Sequence, residues 1–290
     1  RSLPATIGIA RAFLSLAHGD VPCTVRHARQ VLDLRPEADL VRRDQASGLL
    51  GLASWASGDL ETAGRVFEDY NARLRSAGNV PDAIGTAAVL ADIRIAQGLL
   101  GDAQRVAEQS LRFVADQGEP LAADAADLFR ALGEACRERG DLDAAARHLA
   151  KASDLVAQAA LMGLPQRLCV AQALLAQTRG DLDGALDLLA KAERLQVRTP
   201  LPVVRPVGAM RARIRVVQGR QAEALAWARA QGLSADDEPS YLREYEHITL
   251  ARALLAAQPG EDGGGALAAD GLLGRLLEAA EGGQRLGSVI

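Results

Sequence analysis

An all-α fold, an α-solenoid of about seven antiparallel helix pairs, is predicted by three features of the 290-residue sequence. Ala, Leu and Arg are abundant while aromatics make up only 3% of the chain, a mixture that favours helix over sheet. A glycine recurs at Gly19, Gly58, Gly98, Gly140, Gly180 and Gly219, at separations of 39, 40, 42, 40 and 39. Four of the six are followed by aspartate, as in Gly58-Asp59-Leu60 and Gly140-Asp141-Leu142-Asp143. Glycine supplies the left-handed conformation that ends a helix, and the aspartate accepts hydrogen bonds from the free N–H groups opening the next. Each glycine therefore marks a tight turn between two antiparallel helices, and the hairpins must stack because none can bury its apolar face alone.

The units follow in order from these turns. Residues 1–36 place helices at about 5–18 and 21–34, residues 37–79 at 38–57 and 60–77, and residues 80–118 at 82–97 and 99–117. Residues 119–160 place them at 121–139 and 142–158, 161–199 at 165–179 and 182–195, 200–238 at 202–218 and 221–231, and 239–284 at 240–257 and 267–281. Pro36, Pro81, Pro120, Pro165, Pro200 and Pro239 fall between successive pairs, where a residue that cannot continue a helix belongs. Pro259 to Gly265 occupies the seventh turn and reads as a loosened hairpin connection. Ala63, Ala103, Ala145, Ala185 and Ala224 stand five residues after a turn glycine, with Thr24 departing in the first unit. Seven residues before the glycines stand Ala12, Gly51, Ala91, Gly133, Ala173 and Ala212. Small side chains at both offsets allow the paired helices to approach closely, and Phe67, Leu149 and Leu189 fill the remaining space. A register oddity is Arg211, at an apolar offset, beside a separate stripe of Met210, Ile214 and Val217.

Composition excludes several functions. A net charge of −4 gives no overall attraction to a polyanion, so direct nucleic-acid binding is not expected. No run approaches the length of a membrane span. Cys23, Cys136 and Cys169 are odd in number, far apart and outside any C-x-x-C pattern, which predicts reduced thiols and a cytoplasmic protein. The four histidines are scattered, and neither H-E-x-x-H nor G-x-S-x-G occurs, so no metal, cofactor or catalytic residue is expected and the chain reads as no enzyme. Two Arg-Gly-Asp tripeptides, at residues 139–141 and 179–181, both fall on the repeat turn, which accounts for them without an adhesion role.

The small residue seven before the turn followed by Gly-Asp-Leu-x-x-Ala, as in Gly133 and Gly140 to Ala145, resembles a tetratricopeptide repeat with longer helices. Beyond the generic repeat, residues 201–206, Gln218 to Ala228, and Tyr241 to Glu246 with Thr249 to Arg252 resemble the helical-repeat region of MalT-like, LuxR-family, ATP-dependent transcriptional regulators. In those regulators an ATPase module precedes the array and a helix-turn-helix domain follows it. The sequence holds no G-x-x-x-x-G-K-[ST] loop and no basic recognition helix. The resemblance thus implies a fragment of a larger protein, with residues 285–290 the truncated start of a further helix. It also implies that a small-molecule inducer or a regulatory protein binds the concave groove, and that the array can self-associate. The competing reading is a generic repeat scaffold that binds a peptide or partner protein with no role in transcription.

By resemblance the first helix of each pair lines the groove, with exposed offsets about 13, 10, 6 and 3 before the turn glycine. These select Gln45 and Trp55, then Asp92, then Asp127, Arg130, Glu134 and Arg137, then Arg167 and Gln177, and lastly Arg213. The first unit contributes Thr6, Ile9, Phe13 and Leu16. Trp55 reads either as a stacking platform for a ligand or as a core aromatic. Between Arg194 and Arg220 stand seven arginines and no acid. Arginine's planar fork suits carboxylate and phosphate, so the run is either a site for an anionic ligand or acidic segment, or a solvated basic face.

Overall fold

The computed structural model describes residues 3–34, 40–116, 125–157, 163–257, 264–283 and 285. Among them are fourteen α-helices and no strand. The first hairpin is α1 (Leu3–Ala17) with α2 (Val21–Asp33), the second α3 (Leu40–Ala56) with α4 (Leu60–Ser76), and the third α5 (Val80–Ala96) with α6 (Leu100–Asp116). The fourth is α7 (Ala126–Glu138) with α8 (Leu142–Val156), and the fifth α9 (Leu164–Thr178) with α10 (Leu182–Arg194). The sixth is α11 (Val207–Val217) with α12 (Gln221–Ala230), and the seventh α13 (Glu244–Ala256) with α14 (Gly264–Gly282). Each helix packs on its hairpin partner, and first helices also pack on one another, α1 on α3, α5 on α7, α7 on α9 and α11 on α13.

The turns are built as their chemistry requires. All six periodic glycines have φ between 75° and 85°. The Asp20, Asp59, Asp141 and Asp181 carboxylates accept from the N–H groups of Cys23, Thr62, Ala144 and Gly184 at 2.9, 3.0, 3.0 and 2.9 Å. Such caps are each worth about 1 kcal/mol. Ala63, Ala103, Ala145, Ala185 and Ala224 are fully buried, as are Ala12, Ala91, Ala173 and Ala212. Where the small residue is glycine the approach is closest: a Cβ on Gly133 would lie 2.7 Å from Leu149 Cδ2, and one on Gly51 2.9 Å from Val66 Cγ1. Thr24 fits the alanine offset because its hydroxyl donates to the carbonyls of Asp20 (2.8 Å) and Ala12 (3.3 Å). Between the second and third hairpins, buried Asn71 donates to the Ala83 carbonyl (2.6 Å) and the Thr86 hydroxyl (2.9 Å).

Two segments depart from the regular stack. The helix expected from residue 202 starts at Val207, because Pro202 and Pro206 hold the preceding residues extended. The helix expected from residue 240 begins as a single 3-10 turn, Tyr241–Arg243, before α13. Both segments cross the inner side of the array: Leu201, Tyr241 and Leu242 pack against the core cluster formed by α1 to α5. Within α11, Met210 and Ile214 are fully buried, but Val217, expected in the same stripe, is 61% exposed beside the turn. Arg211 points outward and pairs with Glu193 (2.8 Å). Pro36, Pro120, most of the segment from Pro259 to Gly265, and residues 286–290 lie outside the described residues.

Candidate functional site

The inner face of α5, α7 and α9 carries a buried charge network. Arg130 is 1% exposed and uses three of its nitrogens on three carboxylates. Its Nε donates to Asp127 Oδ1 (2.5 Å), Nη1 to Glu134 Oε1 (2.8 Å) and Nη2 to Asp92 Oδ1 (2.8 Å). Arg167 on α9 closes the network, donating from Nη1 to Asp127 Oδ2 (2.7 Å) and from Nη2 to Asp92 Oδ2. From the extended segment, Arg205 reaches Glu134 (3.5 Å) and Glu138 (3.2 Å), and Arg137 donates to Glu138 (2.5 Å). Four carboxylates thus face four guanidiniums, and the assembly is neutral. Three consecutive first helices are tied together by it.

Burial and charge pull these groups in different directions. For Asp127 and Glu134, burial works upward, but Arg130 with Arg167 in one case and Arg130 with Arg205 in the other overcome it and hold both acids below their ordinary values. For Asp92 burial prevails over Arg130 and Arg167, and its carboxyl is raised. Burial alone would lower Arg130, yet Asp127, Asp92 and Glu134 leave it well above the usual guanidinium value.

Trp55, Gln177 and Arg213 stand apart from this network. Trp55 is 4% exposed in the α1 to α5 core, and its Nε1 donates to the Tyr241 hydroxyl (3.2 Å), a contact between residues 186 positions apart. Tyr241 also packs on the Gly58 turn and lies under the Arg285 guanidinium, 5.3 Å from its ring centroid. Arg285 in turn pairs with Glu244 (2.8 Å), both groups 8% exposed. Burial, opposed by the Trp55 hydrogen bond, pushes the Tyr241 hydroxyl up to about 12. The seventh hairpin is thereby fastened onto the second. In the first unit Leu16 is buried, Ile9 half-buried, Phe13 36% exposed, and the Thr6 hydroxyl accepts from Arg42 Nε (3.0 Å). Gln45 is exposed on α3.

Between the two halves lies a cavity of about 890 Å³, within the range of small-molecule sites. Its walls come from the carboxyl ends of α5, α7 and α9, the extended residues Val204 and Arg205, and α11, α13 and α14. Arg137, Gln177 and Arg213 line it, so three of the residues expected in the groove meet there. Arg213 sits 4.3 Å from the Tyr245 ring centroid, and no carboxylate among the described residues pairs with it.

The seven arginines between Arg194 and Arg220 do not form one patch. Arg205 belongs to the buried network, Arg211 pairs with Glu193, and Arg215 and Arg220 share Glu223. Arg198 lies 3.4 Å from His18. The segment of residues 201–206 and the 3-10 turn contribute Val204, Arg205 and Tyr241 to the cavity, which residue-by-residue offsets missed. The bracketing of Leu201 to Arg205 by Pro200, Pro202 and Pro206 was the available signal. Cys136 and Cys169 are buried, and burial raises both thiols, which suits packing rather than reactivity. No group of metal-binding residues occurs among the described residues, and no described helix is long and apolar enough to cross a membrane.

The sequence profile of the MalT-like TPR region matches residues 5–290. The chain belongs to the MalT-like TPR region family. Among solved structures, this MalT-like array is similar to the apo form of RapI, with a TM-score of 0.61 and 11% identity over 96% of this chain and 97% of that one. It also matches TPR-like repeats of a putative kinesin light chain from Podosopora anserina (TM-score 0.49, 18% identity, 67% of this chain and 95% of that one). A tetratricopeptide repeat protein from Parabacteroides merdae matches with a TM-score of 0.46 and 15% identity, over 95% and 99% of the two chains. At these identities the RapI likeness shows the fold alone. No curated protein sequence matches the chain. The MalT-like TPR region is a helical-repeat interaction or sensing domain.

Proposed function

We propose that this array is the sensing region of a LuxR-family, MalT-like transcriptional activator in the cytoplasm, and that an inducer or regulatory protein acts through its concave face. The observation that carries this reading is the fastening of the seventh hairpin onto the second by Trp55 and Tyr241, beside a partly open cavity that Tyr241 also lines. A ligand shifts an array between curvatures only if it binds one of them better, and a cavity walled by several helices and an extended segment changes shape with curvature. In this scheme Arg137, Gln177 and Arg213 contact the effector. Asp92, Asp127, Arg130, Glu134 and Arg167 set the relative rotation of the third to fifth hairpins, and Trp55 is the clamp. Bound effector would then favour self-association of the parent regulator. The chain itself performs no catalysis in this account and holds no cofactor.

A generic scaffold for an extended peptide fits less well, because residues 201–206 and Tyr241–Arg243 already cross the inner face. Thermal melts of the 290-residue chain with small-molecule and protein fractions of a host-cell extract test the reading. A small-molecule fraction that raises the melting temperature, and no longer does so in Arg213→Gln, is the expected result. Ligand at a hundred times its dissociation constant stabilises by about 2.7 kcal/mol, which is readily seen. No shift from any fraction would overturn the proposal, and a shift from the protein fraction alone would exclude a small-molecule inducer and leave a regulatory protein as the effector.

A further inference from the structure

The chemistry of the cavity wall names a class of ligand, an inference that rests on the sensing reading above. Glu138 is shared by Arg137 and Arg205, and Glu244 is taken by Arg285. Arg213 and Arg252 remain, and no carboxylate among the described residues stands within salt-bridge reach of either. The buried Nε–H groups of Arg213 and Arg137 also lack an acceptor among the described residues. A buried donor without a partner is unfavourable, and here two occur on one wall. Burial holds Arg213 below the usual guanidinium value, with Arg252 and Arg205 adding repulsion that Tyr245 partly offsets. The carboxyl ends of α5, α7 and α9 each bring about half a negative charge to the same region. Their carbonyls are already capped by N–H groups of Gln97, Arg139 and Arg179. Arg213, half-buried, and the exposed Arg252 therefore give the cavity a positive sign.

Other parts of the lining are apolar. Leu273 and Leu277 on α14 are 36% and 45% exposed, yet both face this cavity, beside Ile248. Water against leucine and against unpaired guanidinium is what an amphipathic anion would replace. We propose that the cavity binds a small carboxylate or phosphate ester bearing an apolar tail. Arg213, Arg252 and the Arg137 Nε–H hold the anionic head, and Leu273, Leu277 and Ile248 cover the tail.

Calorimetric titration of the whole chain with octanoate, octyl phosphate, octanol and inorganic phosphate tests the proposal. Octanoate or octyl phosphate, or both, should bind at least tenfold more tightly than octanol and inorganic phosphate, and their ratio separates carboxylate from phosphate as the preferred head. The Arg213→Gln, Arg252→Gln double variant should weaken the better binder about tenfold to a hundredfold with its melting temperature nearly unchanged. Leu277→Gln should weaken octanoate and octyl phosphate while leaving inorganic phosphate as it was. Octanol equal to octanoate, inorganic phosphate equal to octyl phosphate, no binding of either amphiphile, or an unchanged affinity in the double variant would each overturn it. An extract fraction that stabilises the wild-type chain alone, with neither amphiphile bound, sinks the ligand class and leaves the sensing role. Amphiphile binding with no active extract fraction does the reverse.

Discussion

Arg130 and Arg213 stand on first helices two hairpins apart and both face inward. Arg130 is surrounded by three carboxylates at 2.5 to 2.8 Å, while Arg213 lies on a tyrosine ring with Arg205 and Arg252 in electrostatic reach. The difference teaches that charge on the concave side of this array serves two ends. A buried guanidinium whose donors are all taken fixes the rotation between hairpins, since breaking such a pair leaves uncompensated charge in a poorly solvated place. A guanidinium with a donor unspent and no acid beside it contributes little to the fold, and in the proposed reading it is the one left to a ligand. Identity of residue type did not decide the role; the partners did.

Removing the best-paired cation should break the comparison most. Arg130→Met leaves Asp92, Asp127 and Glu134 close together and short of a cation, and should destabilise the central hairpins by about 3–5 kcal/mol, read as a fall in the urea midpoint. The acids should rank next, and they should rank unequally. Asp127 and Glu134 sit below their unfolded values of about 3.9 and 4.3, so their stabilisation is complete above those values and is lost as pH falls through the depressed folded ones. Asp92, raised by burial, acts in the opposite sense: its charged form works against the fold, and that penalty disappears on protonation as pH falls. Asp127→Asn should therefore be the more damaging at pH 7, and Asp92→Asn the milder. The melting temperature should hold from pH 7 to about 5 and drop below about 4, a drop that shrinks in Asp127→Asn.

Smaller effects sharpen the contrast. Trp55→Phe keeps the buried ring but loses the bond to Tyr241, at about 0.5–1.5 kcal/mol. Small-angle scattering should show a larger radius of gyration for that variant, because the contact fastens hairpins five units apart. Arg213→Gln, in the absence of ligand, should change stability by less than about 1 kcal/mol, since the lost contact with Tyr245 is offset by relief of a buried, repelled charge. Arg220→Ala, which removes an exposed pair with Glu223, should be as mild.

The repeat was legible because its causes are local. A left-handed glycine, a capping carboxylate and two small residues at fixed offsets all lie within about twenty positions of one another, so the text of each unit carries the geometry of its hairpin. That Asp92, Asp127, Arg130, Glu134 and Arg167 share one side of their helices was legible for the same reason, although Asp127 and Arg130, expected exposed there, are buried. Their mutual pairing was not, because it depends on the rotation between hairpins, which no single unit encodes. The Trp55 to Tyr241 contact spans 186 positions and has no periodic signature. The late start of α11 at Val207 follows from Pro202 and Pro206, yet that these residues then cross the inner face depends on where the second and seventh hairpins meet. Arg213 was recognisable as an inner residue; that it lacks an acid could be seen only once its neighbours were placed.

The central claim is that Arg130 and Arg167 belong to a closed network while the Nε–H groups of Arg213 and Arg137 are unspent, and arginine Nε–H resonances of the ¹⁵N-labelled chain report it directly. On addition of octanoate or octyl phosphate, the Arg213 and Arg137 signals should move while those of Arg130 and Arg167 stay in place. Movement of the Arg130 signal, or stillness of the Arg213 signal at saturating amphiphile, would contradict the division of roles.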